Sequence, residues 1–137
     1  MIVSVSETNE LIWAQMCVEL WSDNTVADIL QERTDNEFLY YINDQAAAFI
    51  NLSLRHDYVE GTESSPVGYI EGIYVREEFR HRGIAKALVE FAKEWSRDHG
   101  CTELASDCII TNDVSRQFHN NVGFKEANTI VCFTMEV

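Results

Sequence analysis

The stretch Ile70-Glu71-Gly72-Ile73-Tyr74-Val75-Arg76-Glu77-Glu78-Phe79-Arg80-His81-Arg82-Gly83-Ile84-Ala85-Lys86 decides how the rest of the chain is read. Its first part belongs to a run, Val67–Val75, rich in β-branched and aromatic residues, and predicts a strand. Its end opens an amphipathic helix over Gly83–His99, where Ile84, Leu88, Phe91 and Trp95 recur at three- and four-residue steps and Gly100 is a natural C-cap. A short basic loop joins the two. Glycine at a helix start lets a ligand approach the backbone, and the free N–H groups and the helix dipole favour negative charge there. Arg80, Arg82 and Lys86 add positive charge, so the loop reads as a phosphate or pyrophosphate site. It is not a Walker A loop, which needs a Gly-Lys-Ser/Thr, nor a dinucleotide fingerprint, which needs G-x-G-x-x-G. The plain alternative is an ordinary basic helix start.

Working outward, Ile2–Val5 predicts an opening strand. Asn9 is placed to cap a helix running to about Trp21, with Ile12, Met16 and Leu20 as its apolar stripe. A short helix follows at Val26–Arg33. Phe38–Ile42 and Ala46–Arg55 read as a hairpin about Asn43-Asp44; Ala48, Ile50, Leu52 and Leu54 share one face, Asn51, Ser53 and Arg55 the other. After the central helix come a short strand at Thr102–Ser106, a helix from Asn112 or Asp113 to about Asn121, and a last strand at Ile130–Met135. The order predicts one α/β domain over residues 1–137, with a mixed sheet flanked by about four helices.

Composition narrows the classes. The 137 residues are 46% hydrophobic and 24% charged, which suits a packed domain and not a disordered chain. The longest apolar run, Ala46–Ile50, is far too short to span a membrane, and Met1–Val5 lacks the basic and apolar regions of a signal peptide, so a cytoplasmic protein is expected. Cys17, Cys101, Cys108 and Cys132 show no C-x-x-C spacing; they read as packing thiols, and no metal is expected. The net charge is −13, the opposite of what a nucleic-acid coat requires. Residues 1–68 hold only Arg33 and Arg55 as bases, while Arg76, Arg80, Arg82, Lys86, Lys93 and Arg97 crowd one stretch. An acidic body with one basic island points to an anionic ligand at the island and a cationic one elsewhere, beside the simpler reading of a solvated acidic surface.

Arg80-x-x-Gly83-x-Ala85 on the strand–loop–helix resembles the acetyl-CoA signature of the GNAT N-acetyltransferases. Asn112-x-x-Ser115 followed by Gly123-Phe124 resembles that family's second motif, and the element order matches along nearly the whole chain. Leu20-Trp21-Ser22-Asp23, Tyr58-Val59-x-Gly61-Thr62-Glu63-x-Ser65-Pro66-Val67-Gly68, Glu71–Val75 and Cys101-Thr102-Glu103-x-Ala105-Ser106-Asp107 are similar to the aminoglycoside 6'-N-acetyltransferases. The resemblance implies a GNAT fold and direct transfer of an acetyl group from acetyl-CoA to a primary amine. It implies that Trp21, Tyr58, Glu71 and Asp107 line the acceptor site, and that Ile73, Tyr74, Val75, Arg80, His81, Arg82, Gly83, Ile84, Ala85, Lys86, Asn112 and Ser115 hold acetyl-CoA. Two departures stand out. Asn128 occupies a place where the subfamily usually has an acid, with Glu126 as its nearest replacement, and the segment between Trp21 and Tyr58 is shorter than usual. Where many GNAT enzymes place a tyrosine as thiolate acid, this chain has His119.

The chemistry assigns roles. The strand Ile73–Val75 would polarise the thioester carbonyl through a free backbone N–H. Glu71 and Asp107 would attract the cationic amine, and a carboxylate must take its proton as general base. Strand alternation puts Glu71 on one face with Tyr69 and Ile73. Structural alternatives are a salt bridge for Glu71, a turn-capping carboxylate for Asp107, a surface histidine for His119, a helix cap for Asn112 and core packing for Trp21 and Tyr58. Asp44, Asp57 and Glu60 read as solvated surface. Two other functions fit the same residues: acetylation of a polyamine, lysine or peptide N-terminus, or acetyl-CoA binding without catalysis. The apolar run Ile130-Val131-Cys132-Phe133 is too hydrophobic for an exposed edge, so a homodimer with packed or exchanged C-terminal strands is expected, against burial within a monomer.

Overall fold

The computed structural model describes residues 1–137. The elements run β1 (Ile2–Ser4), α1 (Glu10–Leu20), α2 (Val26–Gln31), β2 (Glu37–Ile42), β3 (Gln45–Arg55), β4 (Val67–Val75), a single 3₁₀ turn (Glu77–Phe79), α3 (Ile84–Asp98), β5 (Leu104–Ala105) and α4 (Asp113–Asn121). The five strands lie in sequence order in one sheet. The first three pairings are antiparallel, and β4 pairs β5 in parallel. This is the mixed α/β architecture that the sequence predicts.

Each face of the sheet has its own apolar layer. Ala48, Ile50, Leu52 and Ile70 pack against Ile84, Leu88, Val89, Ala92 and Trp95 of α3. Phe118, Val122 and Phe124 extend that layer toward α4. On the other face Leu39 and Phe49 meet Trp13, Ala14, Met16 and Cys17 of α1. The stripe on α1 is therefore centred on Trp13 and Cys17 as much as on Met16, and Leu20 at its end is exposed. Asn9 does not cap α1 with its side chain; it accepts a bond from the Ser6 N–H instead. Thr25 and Asp28 close a capping box on α2.

Two features of β4 shape the cleft. Its pairing with β3 jumps from Asn51↔Gly72 to Leu52↔Ile70, leaving Glu71 as an extra residue in a β-bulge. The bulge breaks the alternation, so Ile70 and Ile73 both face α3, and Glu71 shares its surroundings with Tyr69 but not with Ile73. On its other edge β4 pairs β5 only at Gly68↔Leu104 and Tyr69↔Ala105. From Ile70 to Val75 that edge has no ladder partner.

The last strand expected from the sequence does not form within one chain: residues 125–137 hold no helix or strand. The reason is where the segment goes. Asn128 donates to Glu60 at 2.6 Å, and a Cβ placed on Gly61 would lie 2.4 Å from the Ala127 side chain. The chain is thus held at the Glu60–Gly61 loop, and a strand without a ladder partner has nowhere to place its backbone hydrogen bonds. Cys17 and Cys101 are buried as expected, but Cys132 goes with this segment and is exposed.

Candidate active site

The basic loop is built as an anion cradle. Gly83 is the N-cap of α3, in left-handed backbone with φ of 78°, and no side chain caps that end. The first-turn N–H groups of Ile84, Ala85 and Lys86 have no acceptor within the helix. A Cβ at Gly83 would meet nothing within 4 Å, so the approach to those donors is open. His81, two residues earlier, has a φ of 63°, a conformation rare outside glycine. Arg82 folds over Phe79 and donates to the Glu78 carbonyl, and Arg80 donates to the Val75 carbonyl at 2.9 Å. Arg80 thereby ties the loop to the end of β4. Ile84 differs from the expectation in one respect: its side chain is buried in the α3 core, so only its backbone faces the cradle. The residues present therefore fit a pyrophosphate.

Along the free edge of β4 the strand's N–H groups alternate in direction. Among Ile73, Tyr74 and Val75, at least one therefore points away from β3 and into the cleft. The Tyr74 ring packs near Phe49 and its hydroxyl is pushed above the ordinary phenol value, mainly by burial and then by Glu19. The Trp21 indole packs against Gly72: a Cβ there would stand 2.3 Å from it.

The acidic side of the cleft is a connected cluster. Glu71 Oε1 accepts from Ser53 Oγ at 2.6 Å and from Arg55 Nε at 3.0 Å, while Oε2 accepts from Arg55 Nη2 at 2.9 Å. The Arg55 guanidinium stacks 3.5 Å above the Tyr69 ring. Tyr69 in turn donates its hydroxyl to Asp107 Oδ2. Burial, and next the bond to Asp107, push the Tyr69 hydroxyl well above its usual range, so it stays a donor. Glu71 and Asp107 are both exposed. Tyr58 is 75% exposed and its hydroxyl accepts from the Gly61 N–H, so it belongs to the rim and not to the core.

His119 sits on α4 beside this cleft. Nδ1 donates to the Ser115 carbonyl at 2.7 Å, and Nε2 shares a hydrogen bond with Ser106 Oγ at 2.8 Å. Asn112 caps α4 through Oδ1, accepting from the Ser115 N–H, and its amide N–H₂ remains free. Ser115 serves here as a backbone anchor for both. Asn128 bonds to Glu60, while Glu126 is engaged by Arg116 at 2.7 Å and its carboxyl is held below the usual range. Glu60, read from sequence as plain surface, is the carboxylate that meets Asn128. Sequence reasoning also missed Ser53, Arg55, Tyr69 and Ser106 as members of the site. The polar face of β3 was the available signal for the first two.

The acetyltransferase (GNAT) family model matches residues 6–124. The chain belongs to the GNAT acetyltransferase family. An aminoglycoside N(6')-acetyltransferase type 1 from Acinetobacter haemolyticus is 36% identical over 142 residues, covering 99% of this chain and 98% of the relative. One from Stenotrophomonas maltophilia is 37% identical over 129 residues, covering 90% and 84%. Among solved structures, the A. haemolyticus aminoglycoside 6'-N-acetyltransferase without ligand superposes with a TM-score of 0.93 at 36% identity, over 100% of this chain and 99% of that one. The aminoglycoside acetyltransferase AAC(6')-Iy, solved with a bisubstrate analogue of CoA and acetylneamine, gives 0.89 at 32% identity, over 100% and 98%. In this GNAT chain the free edge of β4 thus runs between an anion cradle and an acidic cluster.

Proposed function

We propose that this chain transfers the acetyl group of acetyl-CoA directly to the 6'-amine of an aminoglycoside, both substrates being held together in one cleft. The observation that carries this reading is the free edge of β4. It runs from the cradle at Gly83 to the carboxylates Glu71 and Asp107, so an anionic donor and a cationic acceptor meet along it. Acetyl-CoA, when bound, supplies an acyl group already activated as a thioester.

The chain's own residues supply the rest. Arg82, Lys86 and the N–H groups of Ile84 and Ala85 hold the pyrophosphate, and the Asn112 amide reaches the pantetheine. An outward N–H among Ile73–Val75 bonds to the thioester oxygen as charge develops on it. Trp21 and Tyr58 wall the acceptor side. An acceptor amine with a pKa of roughly 8–10 is mostly protonated at neutral pH. Asp107 is the better base, because its Oδ2 alone is engaged, by Tyr69, whereas both oxygens of Glu71 are occupied. His119, linked to Ser106, is the source of a proton for the leaving thiolate. Alignment of the two substrates accounts for much of the remaining rate.

The reading extends to assembly and compartment. Ile130, Val131, Phe133 and Met135 are all at least 61% exposed, and the outer edge of β5 is unpaired. A groove of about 540 Å³ between α3, β5 and α4 is lined by Val89, Leu104, Val122 and Phe124 and lies apart from the acidic cluster. A symmetric homodimer, one chain's terminal segment covering the partner's groove and edge, gives that segment the ladder it lacks. Light scattering should give twice 15.7 kDa; a mass near 15.7 kDa contradicts it. Four free thiols fit a cytoplasmic enzyme.

Thiol release from acetyl-CoA, followed with a panel of amines, tests the function. Kanamycin- and tobramycin-like acceptors should drive it. Release only with polyamines or peptides points to another amine of the same reaction class, and binding with no release points to a module without catalysis.

A further inference from the structure

Arg55 is the one cation in contact with the acidic cluster, and the roles above leave it unused. It meets Glu71 with Nε and Nη2, at 2.8 to 3.0 Å, and lies 3.5 Å over the Tyr69 ring. Stacking fixes the plane of the guanidinium, and the two-nitrogen grip fixes the carboxylate. Ser53 completes the hold on Oε1. The remaining ionisable groups facing it are Tyr69, which stays protonated, and Asp107, joined to it through Tyr69. On the neighbouring loop, Glu60 is tied to Asn128 and the Tyr58 hydroxyl to the Gly61 N–H, while His56 is exposed. The cluster therefore carries two carboxylates and one resident cation.

A cleft that acetylates a polycation faces opposed demands. Uncompensated carboxylates attract the substrate, but they also hold the proton on the amine that must lose it. A fixed guanidinium against one carboxylate relieves the second demand at some expense to the first. We propose that Arg55 is a positioning residue of the acceptor site: it neutralises and orients Glu71, so that the reacting amine meets one uncompensated carboxylate, Asp107, and gives up its proton near neutral pH. This rests on the reading of the cleft as an amine-acceptor site.

The test is the pH dependence of kcat and KM for an aminoglycoside acceptor in the wild-type chain, Arg55→Gln and Arg55→Lys. Arg55→Gln should lower KM for the polycation about two- to fivefold, the range of an exposed ion pair. It should move the acidic limb of the kcat profile up by about half a pH unit, so that kcat below that limb falls about two- to fivefold. Arg55→Lys, which restores the charge without the fork, should return the limb close to wild type. Because the ion pair is partly exposed, the thermal midpoint and acetyl-CoA affinity should hold in both variants. An Arg55→Gln variant with lower kcat, an unmoved limb and unchanged KM shows a merely structural role and overturns the proposal. So does an Arg55→Lys variant that behaves like Arg55→Gln. A wild-type chain that turns over no amine overturns the acceptor-site reading and this inference with it.

Discussion

Substituting Gly83 by Asp separates the fold's needs from the coenzyme's. A side chain there has room, since an added Cβ meets nothing within 4 Å. The left-handed backbone, with φ of 78°, costs an L-residue roughly 1–2 kcal/mol. A carboxylate at a helix N-terminus returns about 0.3–1 kcal/mol. The fold should therefore lose only about 1 kcal/mol. The pyrophosphate fares worse. Each unit-charge pair at about 4 Å costs roughly 1 kcal/mol in water and up to about 4 kcal/mol near a protein surface. With two phosphate charges and partial exposure, a loss of about 3–4 kcal/mol is reasonable, or two to three orders of magnitude in Kd. Gly83→Ala carries the same backbone strain without the charge, and should bind acetyl-CoA within about tenfold of wild type. Calorimetric titration at fixed salt, with a thermal melt of each variant, reads both quantities. A folded Asp variant that binds acetyl-CoA as wild type does would refute the reasoning, because the anion would then lie elsewhere.

Other outcomes follow from the same geometry. Gly72→Ala puts a methyl 2.3 Å from the Trp21 ring, so the indole must shift; stability should fall by about 1–3 kcal/mol and acceptor KM should rise with acetyl-CoA affinity spared, as melting curves and steady-state kinetics would show. Asp107→Asn should cut kcat by about a hundredfold or more, and Glu71→Gln by less, both without loss of acetyl-CoA affinity; the reverse order in kinetics would exchange their roles. Burial pushes the Cys17 thiol from 9.0 up to about 12. The folded state then keeps a proton that the unfolded state has lost, so stability is full below pH 9 and falls as pH rises toward about 12. Cys17→Ala should reduce that alkaline slope in denaturant titrations, leaving the part due to Tyr69, Tyr74 and Cys101.

Much of this was legible in the residues. The spacing of Ile84, Leu88 and Trp95 marked the buried face of α3, and Gly83 behind a basic loop marked the cradle. What alternation could not show is the bulge at Glu71. One inserted residue in β4 moves Ile73 to the α3 face and leaves Glu71 beside Tyr69, and nothing in a run of β-branched residues announces it. The Arg55–Glu71 pair was hidden for the same reason: it depends on a register set across a loop of irregular chain. His119 was visible, but not its link to Ser106, which depends on where β5 ends. The terminal segment failed differently. Its apolar residues carry a strand's composition, but a strand exists only where an edge is in reach, and Asn128 and Ala127 are held at the Glu60–Gly61 loop instead.

The most direct test of the account is the identity of the product. The chain should be incubated with acetyl-CoA and a tobramycin-like aminoglycoside, and the product examined by mass and by NMR. The account predicts one acetyl group, on the 6'-nitrogen, formed in equal amount with free CoA. Acetylation at another nitrogen, or CoA release without an acetylated drug, would contradict it.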